Sequence, residues 1–152
     1  MTTTANHILL IAHAPLGQAL FACAEHVFAD CREYVSVLDV LADESPEQTL
    51  QRARTLLQAS GAARTLVMAD VVGATPSNVA QRLVEGSAAQ LLVGVNVPML
   101  LRAICYRHEP LHALADKALA GGQQGMLHMG GRAPQTQSIR NQNAQDTDHH
   151  QQ

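Results

Sequence analysis

The amino-acid sequence predicts an α/β fold, an open and mainly parallel sheet of about four strands with helices on both faces. Two observations carry this expectation. Short apolar runs alternate with amphipathic stretches along the chain, the signature of βαβ units joined into a parallel sheet. Aromatic residues make up only 3% of the chain and Trp is absent, so the core must be built from Leu, Val, Ile, Ala and Met, a palette suited to helices packed closely on a sheet. With 152 residues, 47% of them hydrophobic, the chain is long enough for one domain with a proper core and too short for two ordinary ones.

The elements follow in order. The first strand is ILLIA (8–12), which runs into His13. Pro15 suits the first turn of the next helix, in which Leu16, Ala19, Leu20, Cys23, Ala24, Val27 and Phe28 recur at helical spacing on one face. YVSVLDV (34–40) is the second strand. Ser45-Pro46-Glu47-Gln48 then supplies a capping hydroxyl, a proline at the first helical position and the Gln of a capping box, opening a helix to about Ala59 that stops before Gly61. TLVMA (65–69) is the third strand, and Thr75-Pro76 repeats the cap-then-proline device for a helix through Glu85. QLLVGV (90–95) is the fourth, and Asn96-Val97-Pro98 starts a helix over 98–107. Leu111, Leu114, Ala115, Ala118 and Leu119 mark a fifth helix that Gly121-Gly122 is expected to end. Residues 133–152, with six Gln, one branched aliphatic residue and no aromatic, are expected to be a disordered tail outside a domain spanning 1–132.

Composition also narrows the function. A formal charge of −3 and ten scattered Lys and Arg residues leave no basic stripe along which to neutralise the phosphates of a nucleic acid. Cys23, Cys31 and Cys105 form no CxxC pair, and an odd count without a leader segment fits reduced thiols and a cytoplasmic location. No apolar run approaches the ~18 residues of a membrane span.

Parallel sheets place chemistry beyond the carboxyl ends of their strands. Only His13 among the histidines, and only Asp39 and Asp70 among the acids, stand at such ends. A neutral imidazole is a good nucleophile toward phosphorus when one ring nitrogen presents its lone pair and an acceptor holds the N–H of the other. A carboxylate on a neighbouring strand would fix that tautomer and stabilise charge developing on the ring. Backbone N–H groups at the starts of the first and third helices, the turn Gly73-Ala74-Thr75 and the Thr75 hydroxyl could hold the phosphoryl group, with no metal or other cofactor required. Each residue also has an ordinary reading: a strand-end His as a hydrogen-bonding residue, Asp70 as an acceptor for loop amides, and GATPSN as a tight turn into a capped helix.

The ordered segments IAHAPLGQALFACAE, LVMADVVGATPSNVAQRL and LLVGVNVPMLLRA resemble the IIA component of the mannose family of the bacterial phosphoenolpyruvate-dependent sugar phosphotransferase system, over roughly residues 7–126. The resemblance implies a flavodoxin-like sheet and a phosphotransferase role. His13 would accept a phosphoryl group from the phosphohistidine of the carrier HPr and pass it to a IIB component, Asp70 would orient His13, and Thr75 would contact the phosphoryl group. It also implies a homodimer in which a short C-terminal strand, GMLHM (125–129), crosses to the partner's sheet. The chain departs from the family pattern at Ala14, where Gly usually follows the His, and at Ser77, which stands in place of Phe. A regulatory phosphoprotein that reports the state of His13 by binding a target is the alternative to sugar uptake.

Two other phosphate chemistries fit poorly. A receiver domain needs clustered acids for Mg²⁺ and a Lys near the phosphoryl group, whereas residues 9–17 hold no acid and the one Lys, Lys117, lies in the predicted fifth helix. A nucleotide site would need G-x-G-x-x-G or a GKS/GKT sequence after a strand, and neither occurs. His7, His26, His108, His112 and His128 lack a ligand set and are expected to be structural or solvated, and no metal site is predicted.

Overall fold

The computed structural model describes residues 4–130, so the expected tail and the boundary at 132 lie outside the described residues. Strands β1 (His7–His13), β2 (Val35–Val40), β3 (Thr65–Ala69) and β4 (Ala89–Val93) form one sheet in the order β2-β1-β3-β4, with every pair parallel. The helices are α1 (Leu16–Val27), α2 (Pro46–Ser60), α3 (Thr75–Val84), α4 (Val97–Cys105) and α5 (Leu111–Gln124). The architecture is the flavodoxin-like α/β sheet that the alternating segments predict.

Strand periodicity explains the two cores. Ile8 and Leu10 of β1 join Leu20, Phe21, Leu100, Ile104 and Leu114 beneath α1, α4 and α5, while Leu9 and Ile11 join Leu38, Leu50, Val79 and Leu83 beneath α2 and α3. A strand covered on both faces has no polar side to show, which is why ILLIA is unbroken. Each fully buried Leu or Ile contributes about 1.5–3 kcal/mol of transfer free energy.

The caps hold α2 and α4 where the sequence places them. Gln48 N–H donates to Ser45 Oγ at 3.2 Å while Ser45 N–H donates to Gln48 Oε1 at 2.9 Å, and Gly61 ends α2 in the left-handed conformation. Met99 N–H donates to Asn96 Oδ1 at 2.9 Å.

Three local expectations are corrected. First, α5 does not stop at Gly121-Gly122. It runs on to Gln124, and both glycines are buried against α4, where a Cβ at Gly121 would lie 2.9 Å from Arg102 Cβ and one at Gly122 would lie 3.1 Å from Met99 Cβ. They allow two helices to approach closely, and Asn96 Nδ2 seals the contact by donating to Gly122 O at 2.9 Å.

Second, α1 is rolled relative to the predicted face: Gly17, Leu20, Phe21 and Ala24 are buried while Leu16 and Val27 are exposed. The helix begins at Leu16, with Pro15 as its N-cap residue. Third, Thr75 is the first residue of α3 rather than its cap. Ala74 occupies the N-cap position and makes no side-chain bond. The segment 126–130 has no regular structure in the single chain, and Met126, Leu127 and Met129 are exposed.

Candidate active site

The sheet order reverses at β1. The chain passes from β1 to β2 on one side and returns to β3 on the other, so the carboxyl ends of β1 and β3 flank the crevice where such sheets bind ligands. Ile11 is in register with Ala69, so Ala12 and His13, which end β1, run beside Asp70 and Val71, which follow β3. Positions 57 apart in sequence are thereby joined, with His13 Nδ1 2.6 Å from Asp70 Oδ2.

The same oxygen accepts the backbone N–H of His13 at 2.9 Å, and Asp70 Oδ1 accepts that of Val71 at 2.8 Å. Burial alone would push the Asp70 carboxyl up. The bonds from the His13 amide, the His13 ring and the Val71 amide outweigh it and hold the group below its ordinary value. An ionised carboxylate only accepts, so Nδ1 carries a proton, and in the neutral ring the lone pair belongs to Nε2. The carboxylate is well covered, with 8% of its side chain exposed against 55% for His13. The imidazole is therefore largely open while the carboxylate that its Nδ1 meets is shielded.

Asp39, the other strand-end acid, does not reach His13. Its Oδ1 accepts the Gly17 N–H at 2.8 Å and its Oδ2 the Gln18 N–H at 3.4 Å. The carboxylate thus caps α1 from the neighbouring strand. Two of the amides that the first helix was expected to offer a phosphoryl group are thereby engaged, while Leu16 N–H has no acceptor among the described residues. Gly17 had escaped notice in the sequence. Its signal was a glycine in the first turn of a strong helix, and its reason is contact: a Cβ there would stand 2.5 Å from Asp39 Oδ1 and 2.8 Å from Val37 Cγ1.

Gly73, Ala74 and Thr75 form the turn from β3 into α3. Gly73 has φ of +84°, a conformation that favours glycine. Ser77 Oγ donates to Ala74 O at 3.0 Å and is buried with its residue, so the position where Phe was expected is turned inward. Among the described residues no hydrogen bond joins His13 to Gly73, Ala74 or Thr75, and none engages the Thr75 hydroxyl. Ala14 donates its N–H to Val40 O at 3.0 Å and its side chain is exposed beside His13.

Leu16, Leu41, Val71 and Val72, from the three connections that follow β1, β2 and β3, are exposed around this end of the sheet. His7 lies at the other end, buried, with Nε2 2.8 Å from Ser36 Oγ, and burial pushes its pKa down. His26, His108, His112 and His128 are exposed. Among the described residues no helix is long and apolar enough to cross a membrane, and no three His, Cys, Asp or Glu residues cluster as a metal set.

Comparison with known proteins agrees with this geometry. The family model described as PTS system fructose IIA component matches residues 7–119. The mannose/sorbose-specific IIA subunit of the phosphotransferase system from Enterococcus faecalis superposes with a TM-score of 0.77 at 21% identity, covering 85% of this chain and 98% of that one. The phosphotransferase component EIIA from Streptococcus agalactiae is 28% identical with a TM-score of 0.68, covering 80% of this chain and 95% of its own. The PTS IIA protein associated with the fucose utilization operon of Streptococcus pneumoniae is 18% identical with a TM-score of 0.71, over 84% of this chain and 96% of its own. No curated protein matches the chain. With three quarters of its length matched by one family model and its sheet shared with these IIA proteins, the chain belongs to the mannose-type IIA (EIIA-man) family of the sugar phosphotransferase system.

Proposed function

We propose that His13 carries a phosphoryl group, taken from the phosphohistidine of HPr and passed to a histidine of a IIB component, and that the chain serves sugar uptake in this way. The observation that carries the reading is the 2.6 Å contact between His13 Nδ1 and Asp70 Oδ2, with the remainder of the imidazole open. The Nε2 lone pair attacks phosphorus, the N–P bond of the donor breaks, and the electron pair of that bond returns to the donor's ring nitrogen. Asp70 holds the Nδ1 proton throughout and balances the positive charge that the ring gains.

Amides of the Gly73-Ala74-Thr75 turn and the Thr75 hydroxyl receive the phosphoryl oxygens. The support for this role is the absence of a side-chain cap on α3 and the position of the turn directly after Val71 and Val72. The apolar residues Leu16, Leu41, Val71 and Val72 would seat the partner protein and keep water from the transferring group. The exposed Met126, Leu127 and Met129 fit a homodimer in which segment 125–129 adds to the free edge of a second copy's sheet.

The test is phosphoryl transfer from labelled phospho-HPr, followed by chase into candidate IIB acceptors. One acid-labile phosphoryl group per chain is expected, and His13→Gln should abolish it. Undiminished labelling of that variant would move the site elsewhere.

A further inference from the structure

Asp39 is a second carboxylate at the same end of the sheet, one strand away from Asp70 on the far side of β1. We infer that Asp39 is a positioning residue that occupies the Gly17 and Gln18 amides of α1 and sets a negative charge beside them, and so fixes on which side of His13 a phosphoryl group lies. This inference rests on the reading of His13 as the phosphoryl acceptor.

Most amides of the segment that leaves His13 have acceptors. His13 N–H is held by Asp70, Ala14 N–H by Val40 O at 3.0 Å, Gly17 N–H by Asp39 Oδ1 at 2.8 Å, Gln18 N–H by Asp39 Oδ2 at 3.4 Å, and Ala19 N–H by Pro15 O at 3.1 Å, while Leu16 N–H has no acceptor among the described residues. Pro15 has no N–H to give. A helix N-terminus attracts anions through its unpaired amides and its dipole. In α1 that attraction is already answered by a carboxylate belonging to the fold. On the α1 side a phosphoryl dianion on His13 would meet the Gly17 and Gln18 amides already bonded and a like charge on Asp39. No carboxylate caps α3, since its cap residue is Ala74 and its first turn holds no acid, and Asp70, which precedes it, is taken up by the His13 ring and the His13 and Val71 amides.

Gly17 is the independent sign that this contact is built in. The carboxylate sits where a side chain of residue 17 would begin, 2.5 Å from the position of a Cβ. Only a glycine lets Asp39 come within hydrogen-bonding reach of the amide, at the cost of helix propensity in the first turn of α1. The Asp39–Gly17 pair therefore sets both the start of α1 and the path of the loop that follows His13.

The experiment follows backbone amide shifts of uniformly ¹⁵N-labelled full chain before and after phosphorylation by phospho-HPr, with the initial labelling rate measured in parallel. In the wild-type protein the amides of Ala74, Thr75 or Ser77 should move downfield on phosphorylation while Gly17 and Gln18 stay in place. Asp39→Ala should free Gly17 and Gln18 to move with them and slow labelling by about tenfold, the scale of a modest misplacement of reacting groups. Asp39→Asn keeps one acceptor for Gly17, so its rate should fall between the two. Gly17→Ala, which drives a methyl group against the carboxylate, should slow labelling as Asp39→Ala does.

A downfield move of Gly17 or Gln18 in the wild-type protein, equal to that of the α3 amides, overturns the inference without any variant having to fold. Wild-type rates in both Asp39→Ala and Gly17→Ala overturn it as well. No phosphorylation of the wild-type chain would sink the underlying reading of His13 and this inference together, whereas labelled His13 with a displaced Gly17 sinks the inference alone.

Discussion

Replacing Asp70 by Asn separates hydrogen bonding from charge at His13. The carboxylate has three donors to satisfy: His13 N–H and Nδ1–H on Oδ2, and Val71 N–H on Oδ1. A carboxamide has one acceptor oxygen. Placed at the Oδ2 position it keeps both bonds to His13, and its NH₂ then faces the Val71 amide, donor against donor. Turned over, it keeps Val71 and loses both bonds to His13. The first arrangement saves more bonds and preserves the ring tautomer, so Asp70→Asn should fold.

The loss then lies in charge. A hydrogen bond to an ionised partner contributes about 1.5–3 kcal/mol against roughly 1 for a neutral one, a difference of about 0.5–2 kcal/mol or roughly 2- to 30-fold in rate if it is felt fully in the transition state. Looser orientation of the ring adds to this, and orienting or base carboxylates commonly contribute on the order of 10²-fold. Transfer from phospho-HPr should therefore slow by about 10- to 100-fold. The assay is the initial rate of labelling, with ¹⁵N imidazole shifts reporting the tautomer. A wild-type rate, or an imidazole with its proton on Nε2 in the unsubstituted protein, would refute the reasoning.

Three further outcomes are expected. Gly121→Ala gains up to about 1 kcal/mol of helix propensity, while the 2.9 Å clash with Arg102 Cβ costs about 1–3 kcal/mol, so the melting temperature should fall by a few degrees; a rise would mean that α4 and α5 have room to part. Because burial lowers the pKa of His7 in the fold, its share of stability is complete above the ordinary histidine range and declines as pH falls from that range through the lowered value. His7→Gln should therefore lose less stability than the parent between about pH 7 and 5 in urea unfolding, and equal losses would remove His7 from the acid response. A chain ending at Gln124, where α5 ends, should be monomeric by light scattering while one ending at Arg132 is dimeric; a dimeric 1–124 fragment would show that segment 125–129 is not what joins the subunits.

Much of the fold was legible because its signals are local and chemically specific. The four apolar runs became the four strands within a residue or two, and Ser45 and Asn96 cap the helices they precede. The Gly121-Gly122 pair misled because glycine has two uses in a helix. It ends one where the backbone needs a left-handed turn, and it thins one where a neighbour must come close. The choice depends on Met99 and Arg102 across the α4–α5 contact, which local sequence around the glycines does not contain. The face of α1 was misjudged for a similar reason, since Gly17 is the buried position that lets the helix settle on Asp39 and Val37.

The two strand-end aspartates looked equivalent in sequence, yet their places relative to the strand ends separate them. Asp39 is in register with Ala12 and shares its parity with Val35 and Val37, which pack toward α1, whereas His13 has the parity of Leu9 and Ile11, which face the opposite core. A side chain within a strand cannot change faces without a slip of register, so Asp39 was committed to α1 and away from the imidazole. Asp70 lies one residue beyond β3, where the ladder no longer dictates direction, and its carboxylate folds across the strand end to take two bonds from His13. Counting alternate residues from the middle of each run would have assigned Asp39 to the helix. The same count gives Asp70 the parity of Leu66 and Met68, on the α1 side, so it is only its place beyond the end of β3 that leaves it free to turn toward His13.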